Sequence, residues 1–347
     1  MVLQTEKRKK EHIDLCVNKD VSFDKKTTLL ECIELNYSSL PEIDLSAVDL
    51  STIFLGKNFS FPFIVSAITG GAQVSKKINL QIAEACSVVG VGMGLGSMRA
   101  MIEKPSLKET YNVKKDFANI FVSGNLGVAQ LENYSIKEID LAVQSIEVDA
   151  LAIHVNSAQE AMQPEGDTNF SNLITKISDA SDSLSIPIYV KEVGHGISFD
   201  IASKLAKTNI TAIDVQGAGG TSWTRVDSLR HKKSFGNVFR NIGLPTAVSI
   251  IKTKKALIGH NKKIIASGGI RNGLDAVKSI VLGADLVGNA LPVLQCQQKN
   301  GVRGVVDYLE NFKKEMEIAS FLVGCKNISK LQEQEYFVIG QLNDWLK

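Results

Sequence analysis

From Phe61 onward, short apolar runs alternate with stretches whose apolar residues recur every three or four positions. Phe61 to Thr69 reads as the first strand and ends at Gly70-Gly71. In Lys76 to Val89, Ile78, Ile82, Ala85 and Val89 share one stripe, which predicts a helix. The remaining predicted strands are Val91–Ser97, Asn119–Asn125, Leu151–Asn156, Pro187–Val193, Ala212–Gln216, Lys263–Ser267 and Asp285–Asn289. Helices are predicted at Lys137–Ile146, Asn172–Leu184, after Ser198 as N-cap, from Pro245, at Gly273–Leu282 and at Gly304–Phe321. A long loop is expected from strand six to about Gly243. The strands are continuous apolar runs, as strands covered on both faces should be. Eight such units in succession predict an α/β fold, a (β/α)8 TIM barrel.

The run Gly92-x-Gly94-x-Gly96 could suggest a doubly wound sheet, but its spacing is not G-x-G-x-x-G and no acidic residue closes a second strand at the right distance. Residues 1–60 lack the βα rhythm and read as an extension packed on the main domain. The barrel is assigned to 61–325, and 326–347 to a C-terminal tail.

At 44% hydrophobic and 22% charged residues the chain belongs with globular proteins, and a net charge of +2 points to no polyanionic partner. Five scattered cysteines, with no C-x-x-C, argue against a disulfide framework or structural zinc and suit a reducing cytoplasm. The basic run Lys7-Arg8-Lys9-Lys10 is followed by no apolar segment of signal-peptide type, and no run is long enough to span a bilayer. Neither a nucleic acid nor a membrane is expected as partner.

In a barrel, chemistry sits where the strands end. The fourth strand ends in His154 and Asn156, two apart and so on one face, followed by Gln159, Glu160, Glu165 and Asp167. A buried imidazole and amide need partners, and a solvated polar strand end is the competing explanation. Strand seven ends Ser267-Gly268-Gly269-Ile270-Arg271 and strand eight Gly288-Asn289-Ala290-Leu291. Such turns bind phosphate through backbone N–H groups, and Arg271 adds charge-assisted bonds. Lys191 lies inside the apolar strand I-Y-V-K-E-V. It could form a Schiff base, neutralise an anion or contact a flavin, and a strand-end lysine reaching solvent is the plain alternative.

Together these strings resemble the type 2 isopentenyl-diphosphate isomerases, which are FMN-dependent barrels. The matching segments are R-K-K-E-H-I (8–13), S-A-I-T-G-G (66–71), G-L-G-S-M-R (94–99), A-I-H-V-N-S-A-Q-E (152–160), P-E-G-D-T-N-F (164–170), V-K-E-V-G-H-G-I-S (190–198), D-V-Q-G-A-G-G-T-S-W (214–223), A-S-G-G-I-R-N-G (266–273) and G-N-A-L-P (288–292). H-x-N-x-x-Q-E followed by P-E-G-D is the specific part, whereas S-G-G-I-R occurs in many flavin and phosphate-binding barrels.

The resemblance implies a reversible allylic 1,3-proton shift between isopentenyl and dimethylallyl diphosphate, with no net redox change. It implies reduced FMN, kept reduced by NADPH or NADH, and Mg2+. FMN would contact Ala67, Ile68, Thr69, Ser97, Asn125, Lys191, Thr221, Gly269, Ile270, Arg271, Ala290 and Leu291. The diphosphate would meet Arg8, Lys9, Arg99, His154, Asn156 and Gln159, and Glu160 would hold Mg2+. Gln159 and Lys191 would assist the flavin N5 in moving the proton. His154 is then a diphosphate ligand and not the general base. The extension would fold over the barrel mouth through Arg8 and Lys9, excluding water. A cytoplasmic homo-oligomer, a tetramer or larger, is also implied. Two positions depart from the family: Ile68 stands for its usual Met, and Asp227 for its usual Glu, so Asp227 is left out of the catalytic set. The competing chemistry is a hydroxyacid oxidase or an IMP-type dehydrogenase, but neither an H-G-x-R-x-G loop nor a cysteine after strand six is present.

Overall fold

The computed structural model describes residues 2–231 and 235–347. Three short strands precede the barrel: β1 (Ile33–Leu35), β2 (Thr52–Phe54) and β3 (Lys57–Phe59). Eight parallel strands follow, β4 (Phe63–Val65), β5 (Gly92–Gly94), β6 (Val122–Gly127), β7 (Ala150–His154), β8 (Ile188–Lys191), β9 (Ala212–Asp214), β10 (Lys263–Ser267) and β11 (Leu286–Asn289). They pair in chain order and close through β11 on β4 and β10 on β9. This is the predicted (β/α)8 barrel.

The outward residues are apolar, among them Leu151, Ile153, Val190 and Ile213, and all are buried beneath the surrounding helices. The inward face turns polar toward the strand ends. Ser123 of β6 hydrogen-bonds the Tyr189 hydroxyl of β8 at 2.8 Å, across the intervening β7, which offers only Ala150 and Ala152 on that face. The register aligns His154 with Lys191 and Lys191 with Asp214 on three adjacent strands. Small residues in one layer thus leave room for a polar layer above it.

Caps set several helix starts. Ser135 and Glu138 form a capping box at the helix Ile136–Ser145, and Ser198 accepts the Ile201 N–H as expected. Gly96 permits close approach: a Cβ there would lie 2.4 Å from the Thr69 carbonyl carbon. The Gly92-x-Gly94-x-Gly96 run is thus a packing device between the first two barrel strands.

The helices differ from expectation in several places, among them the short helix Arg99–Glu103. Residues 2–18 form helix α1 (Val2–Asn18), where no helix was expected. Gln159 and Glu160 lie on a short helix, Ser157–Met162, and not in a loop. The expected loop after β9 contains helices Trp223–His231 and Phe235–Val238. The buried face of Trp223–His231 includes Thr224, Asp227 and Ser228, so no apolar stripe announces it. The long helix expected from Gly304 begins at Leu291 and breaks at Asn300 and Gly301, and two short helices, Ile328–Gln332 and Leu342–Leu346, follow it. Residues 326–347 include strand β12 (Tyr336–Val338), which pairs antiparallel with β1.

Candidate active site

A single cavity at the C-terminal mouth of the barrel gathers residues from all eight strand ends and from α1. Of the residues singled out in the sequence, Arg8, Lys9, Ala67, Ile68, Thr69, Ser97, Arg99, Asn125, His154, Asn156, Gln159, Glu160, Lys191, Thr221, Gly269, Arg271, Ala290 and Leu291 line it. Ile270 does not. Its side chain is fully buried in the core, so only its main chain is available to a ligand. His195 is also off the wall, buried with its ring edge-on to Phe23.

One half of the wall carries carboxamide, imidazole and carboxylate groups. His154 Nδ1 lies 2.8 Å from Asn125 Oδ1. With that amide oxygen accepting, Nδ1 carries the proton and Nε2 is a bare acceptor. Burial, then the positive charges of Lys191 and Arg8, push the imidazole down to about 3, so it is neutral. The ring keeps some accessible surface because it faces the cavity, yet protein surrounds it on every other side.

Asn156 caps the short helix after β7 and donates to Glu160 Oε1 at 2.7 Å and to Gln159 Oε1 at 3.3 Å. Glu160 Oε2 accepts the Asp167 N–H at 2.8 Å. This folds the P-E-G-D loop back onto the carboxylate. Arg99 pairs with Glu103 at 2.9 Å and with Asp167 at 3.5 Å, while Gln130 donates to Asp167 at 3.2 Å. Lys9 spends its ammonium on the carbonyls of Gly70 and Ser97 and on the Tyr111 hydroxyl, tying α1 to the loops after β4 and β5.

The other half is built from main chain and two cations. Gly268 and Gly269 have φ of +92° and +76°, and a Cβ on Gly268 would lie 2.1 Å from the Gly217 oxygen. Only glycine allows this turn to press against its neighbour and show its backbone to the cavity. Ala290 opens the helix Leu291–Leu322 with no side-chain cap, so its first turn keeps the Leu291 and Val293 N–H groups for a ligand, Pro292 having none. Arg271 faces the cavity with its side chain open to solvent and forms no ion pair among the described residues. Lys191 is buried, donates to the Glu192 carbonyl at 2.7 Å, and is pushed down by burial against the pull of Asp214 and Glu192. Two buried atoms near this half, Ser66 Oγ and Asn289 Oδ1, have no hydrogen-bond partner among the described residues. Orphaned donors and acceptors beside an uncapped helix start and a free guanidinium are what a phosphate on a polar ring system would satisfy. The residues present therefore fit a flavin mononucleotide.

Several wall residues escaped the sequence reading. Gln130 lies in the 3-10 turn Val128–Glu132, Gln163 between the H-x-N-x-x-Q-E and P-E-G-D strings, and Gln216 within D-V-Q-G-A-G-G-T-S-W, and none of the three drew a role of its own. His12 and Ile13 arrive on α1. Asp227, set aside in the sequence, is completely buried behind the wall. Burial raises its pKa, but the hydrogen bond and charge of His12 and the hydrogen bond from Gln163 overcome this and hold it below the usual carboxylate range.

The architecture and this polar mouth define a flavin-type barrel, and comparison with known proteins agrees. The model of the FMN-dependent dehydrogenase family matches residues 4–116 and 125–337. A solved flavocytochrome b2 variant with sulfite bound superposes with a TM-score of 0.72 at 20% identity, covering 97% of this chain and 86% of that one. A mandelate oxidase variant carrying an FMN adduct gives 0.66 at 17% identity, covering 94% and 95%. At such identities these two share the fold alone. Curated relatives are much nearer in sequence. The isopentenyl-diphosphate delta-isomerase of Methanocaldococcus jannaschii is 43% identical over 99% of this chain and 97% of its own length. That of Pyrococcus furiosus is 39% identical over 98% and 88%. The chain belongs to the FMN-dependent dehydrogenase family and, within it, to the isopentenyl-diphosphate delta-isomerases.

Proposed function

We propose that this protein interconverts isopentenyl and dimethylallyl diphosphate by a 1,3-proton shift on reduced FMN, without net redox change. The observation that carries this is the two-sided cavity. One side offers a flavin phosphate the Gly268–Arg271 turn and the uncapped helix start at Leu291. The opposite side offers a second anion Arg8, Arg99 and His154.

On that second side, Arg8 and Arg99 bind the diphosphate. His154, kept neutral by burial and then by Lys191 and Arg8, joins them once the anion adds its negative charge beside the ring. Among the described residues no three side chains could hold a metal by themselves. Glu160 therefore suits Mg2+ shared with the diphosphate oxygens and water, the usual habit of that ion. Asn156 orients this carboxylate, and Gln159 beside it steers the allylic end of the substrate. Lys191, at the floor, places an amine against the flavin. When bound, reduced FMN supplies an exchangeable proton at N5 and an electron-rich face toward developing positive charge.

Water must be kept from a tertiary cation. Ile13, Ile68, Val193, Trp223, Leu291 and Leu294 give the cavity its apolar wall. Residues 1–60 supply the cover, with Arg8, Lys9 and His12 on α1 lining the mouth. Residues 61–325 form the catalytic barrel and 326–347 brace it from outside. NADPH or NADH serves as reductant, and the protein works in the cytoplasm as a homo-oligomer, a tetramer or larger. Among the described residues no helix is long and apolar enough to cross a membrane.

The test is incubation with isopentenyl diphosphate, FMN, NADPH and Mg2+ under strict anaerobiosis. Dimethylallyl diphosphate should accumulate to equilibrium, and only with reductant present. Turnover of a 2-hydroxyacid with stoichiometric flavin reduction, and no allylic product, would overturn the assignment.

A further inference from the structure

We infer that Asp227 is a positioning residue, a buried clasp that locks the N-terminal helix onto the barrel mouth and sets the diphosphate-facing side chains of the proposed isomerase.

Asp227 is wholly buried and does not line the cavity, so it cannot touch a substrate directly. A buried carboxylate is costly unless several donors satisfy it. Its donors come from separate parts of the chain. His12 Nε2 on α1 lies 3.0 Å from Oδ1. Gln163 Nε2, after the short helix that follows β7, lies 2.9 Å from Oδ2. Arg230 adds its charge at 3.7 Å. The carboxylate accepts and His12 donates, so the His12 proton on Nε2 is fixed by this pair.

The geometry closes into a ring. Gln163 gives its amide N–H to Asp227 and its Oε1 accepts from Arg8 Nη1 at 3.4 Å. Arg8 precedes His12 by four residues, one helical turn on the same face of α1. The path Asp227, His12, Arg8, Gln163 and back to Asp227 therefore joins three segments. Asp227 fixes which way the Gln163 amide points, and that direction gives Arg8 its acceptor. An aspartate suffices in place of the longer glutamate because its own helix, Trp223–His231, presents it directly to His12 and Gln163.

Asp227→Asn tests this specifically. With the Asn oxygen kept on His12, its amide nitrogen faces Gln163 and cannot accept from it, so the Gln163 amide turns over. Its Nε2 then faces Arg8, and Arg8 loses its acceptor. Hydrogen–deuterium exchange of the full-length protein reads the clasp without any substrate. Amides of residues 8–18 should exchange on the order of tenfold faster in the variant, with the β4–β11 amides unchanged. In the allylic assay KM for isopentenyl diphosphate should rise on the order of tenfold while kcat changes much less. Asp227→Glu should restore both. His12→Gln provides an independent arm, with the same exchange pattern expected, should Asp227→Asn fold poorly. Unchanged α1 exchange in both variants, or a fall in kcat at constant KM, would overturn the clasp. The exchange arm does not depend on the proposed reaction, so failure of that reaction and failure of the clasp are distinguishable.

Discussion

His154 and Asn125 are joined at 2.8 Å across two neighbouring strands, although Asn125 is paired in register with Ala152 and not with His154. The bond is diagonal, reaching over the small Ala152 side chain. It gives a strand-end histidine a defined tautomer. His154 titrates at about 3 when folded, well below its usual value, because burial and then Lys191 and Arg8 oppose its charge.

Acid should therefore weaken the fold through this ring. With the folded pKa below the unfolded one, the unfolded chain binds the proton first. The contribution is complete above roughly pH 6.5, the unfolded histidine value, and is lost as pH falls toward the folded value. Urea unfolding at pH 7.5 and pH 5 should show a loss that His154→Gln reduces by up to about 2 kcal/mol. Equal losses in both proteins would mean that the ring binds its proton equally well in the folded and the unfolded chain.

Arg271→Ala addresses the flavin half. The guanidinium faces the cavity without an ion pair among the described residues. Losing one or two charge-assisted bonds at roughly 1.5–3 kcal/mol each should lower FMN affinity by tenfold or more, read by quenching of flavin fluorescence. The melting temperature of the flavin-free protein should not fall. An unchanged FMN affinity would place the phosphate elsewhere.

Glu160→Gln keeps the shape and one acceptor oxygen of the side chain while removing its charge. The midpoint of a Mg2+ titration of allylic turnover should move up on the order of tenfold or more. If the midpoint stays where it was, Glu160 does not hold the cation.

Gly268→Ala probes the turn itself. Its φ of +92° and the Gly217 oxygen 2.1 Å from an added Cβ leave no room for a methyl group. Thermal or urea unfolding should show a loss of about 2 kcal/mol or more, accompanied by weakened FMN binding. Wild-type stability in this variant would mean that the loop relaxes easily.

The barrel was legible because each strand is a continuous apolar run and each is punctuated by Gly, Ser or Asn. His154, Asn156, Gln159 and Glu160 were legible because they crowd one strand end. The turn at Gly268–Arg271 was legible because two glycines precede a cation. What escaped is polar and delivered from far away in the chain. α1 has no broad apolar stripe, since its inner face meets a polar mouth through Arg8, Lys9 and His12. Gln163 sits in the gap between two recognisable strings, and its worth lies in partners 64 and 155 residues away. Asp227 read as a shortened, weakened copy of a glutamate, because reach is set by the helix that carries it and not by side-chain length alone.

Ile33 of β1 pairs with Val338 of β12, near the two ends of the chain. During synthesis this two-stranded ribbon cannot form until residue 338 has left the ribosome, when the barrel strands are already complete. Joining contacts so far apart in sequence carries a large loop-closure entropy unless the intervening chain has already folded. A folded barrel lowers that cost by holding β1 and β12 near one another. The ribbon then seals the vessel from outside, and a chain cut before Tyr336 would leave the segment around Ile33 without its strand partner.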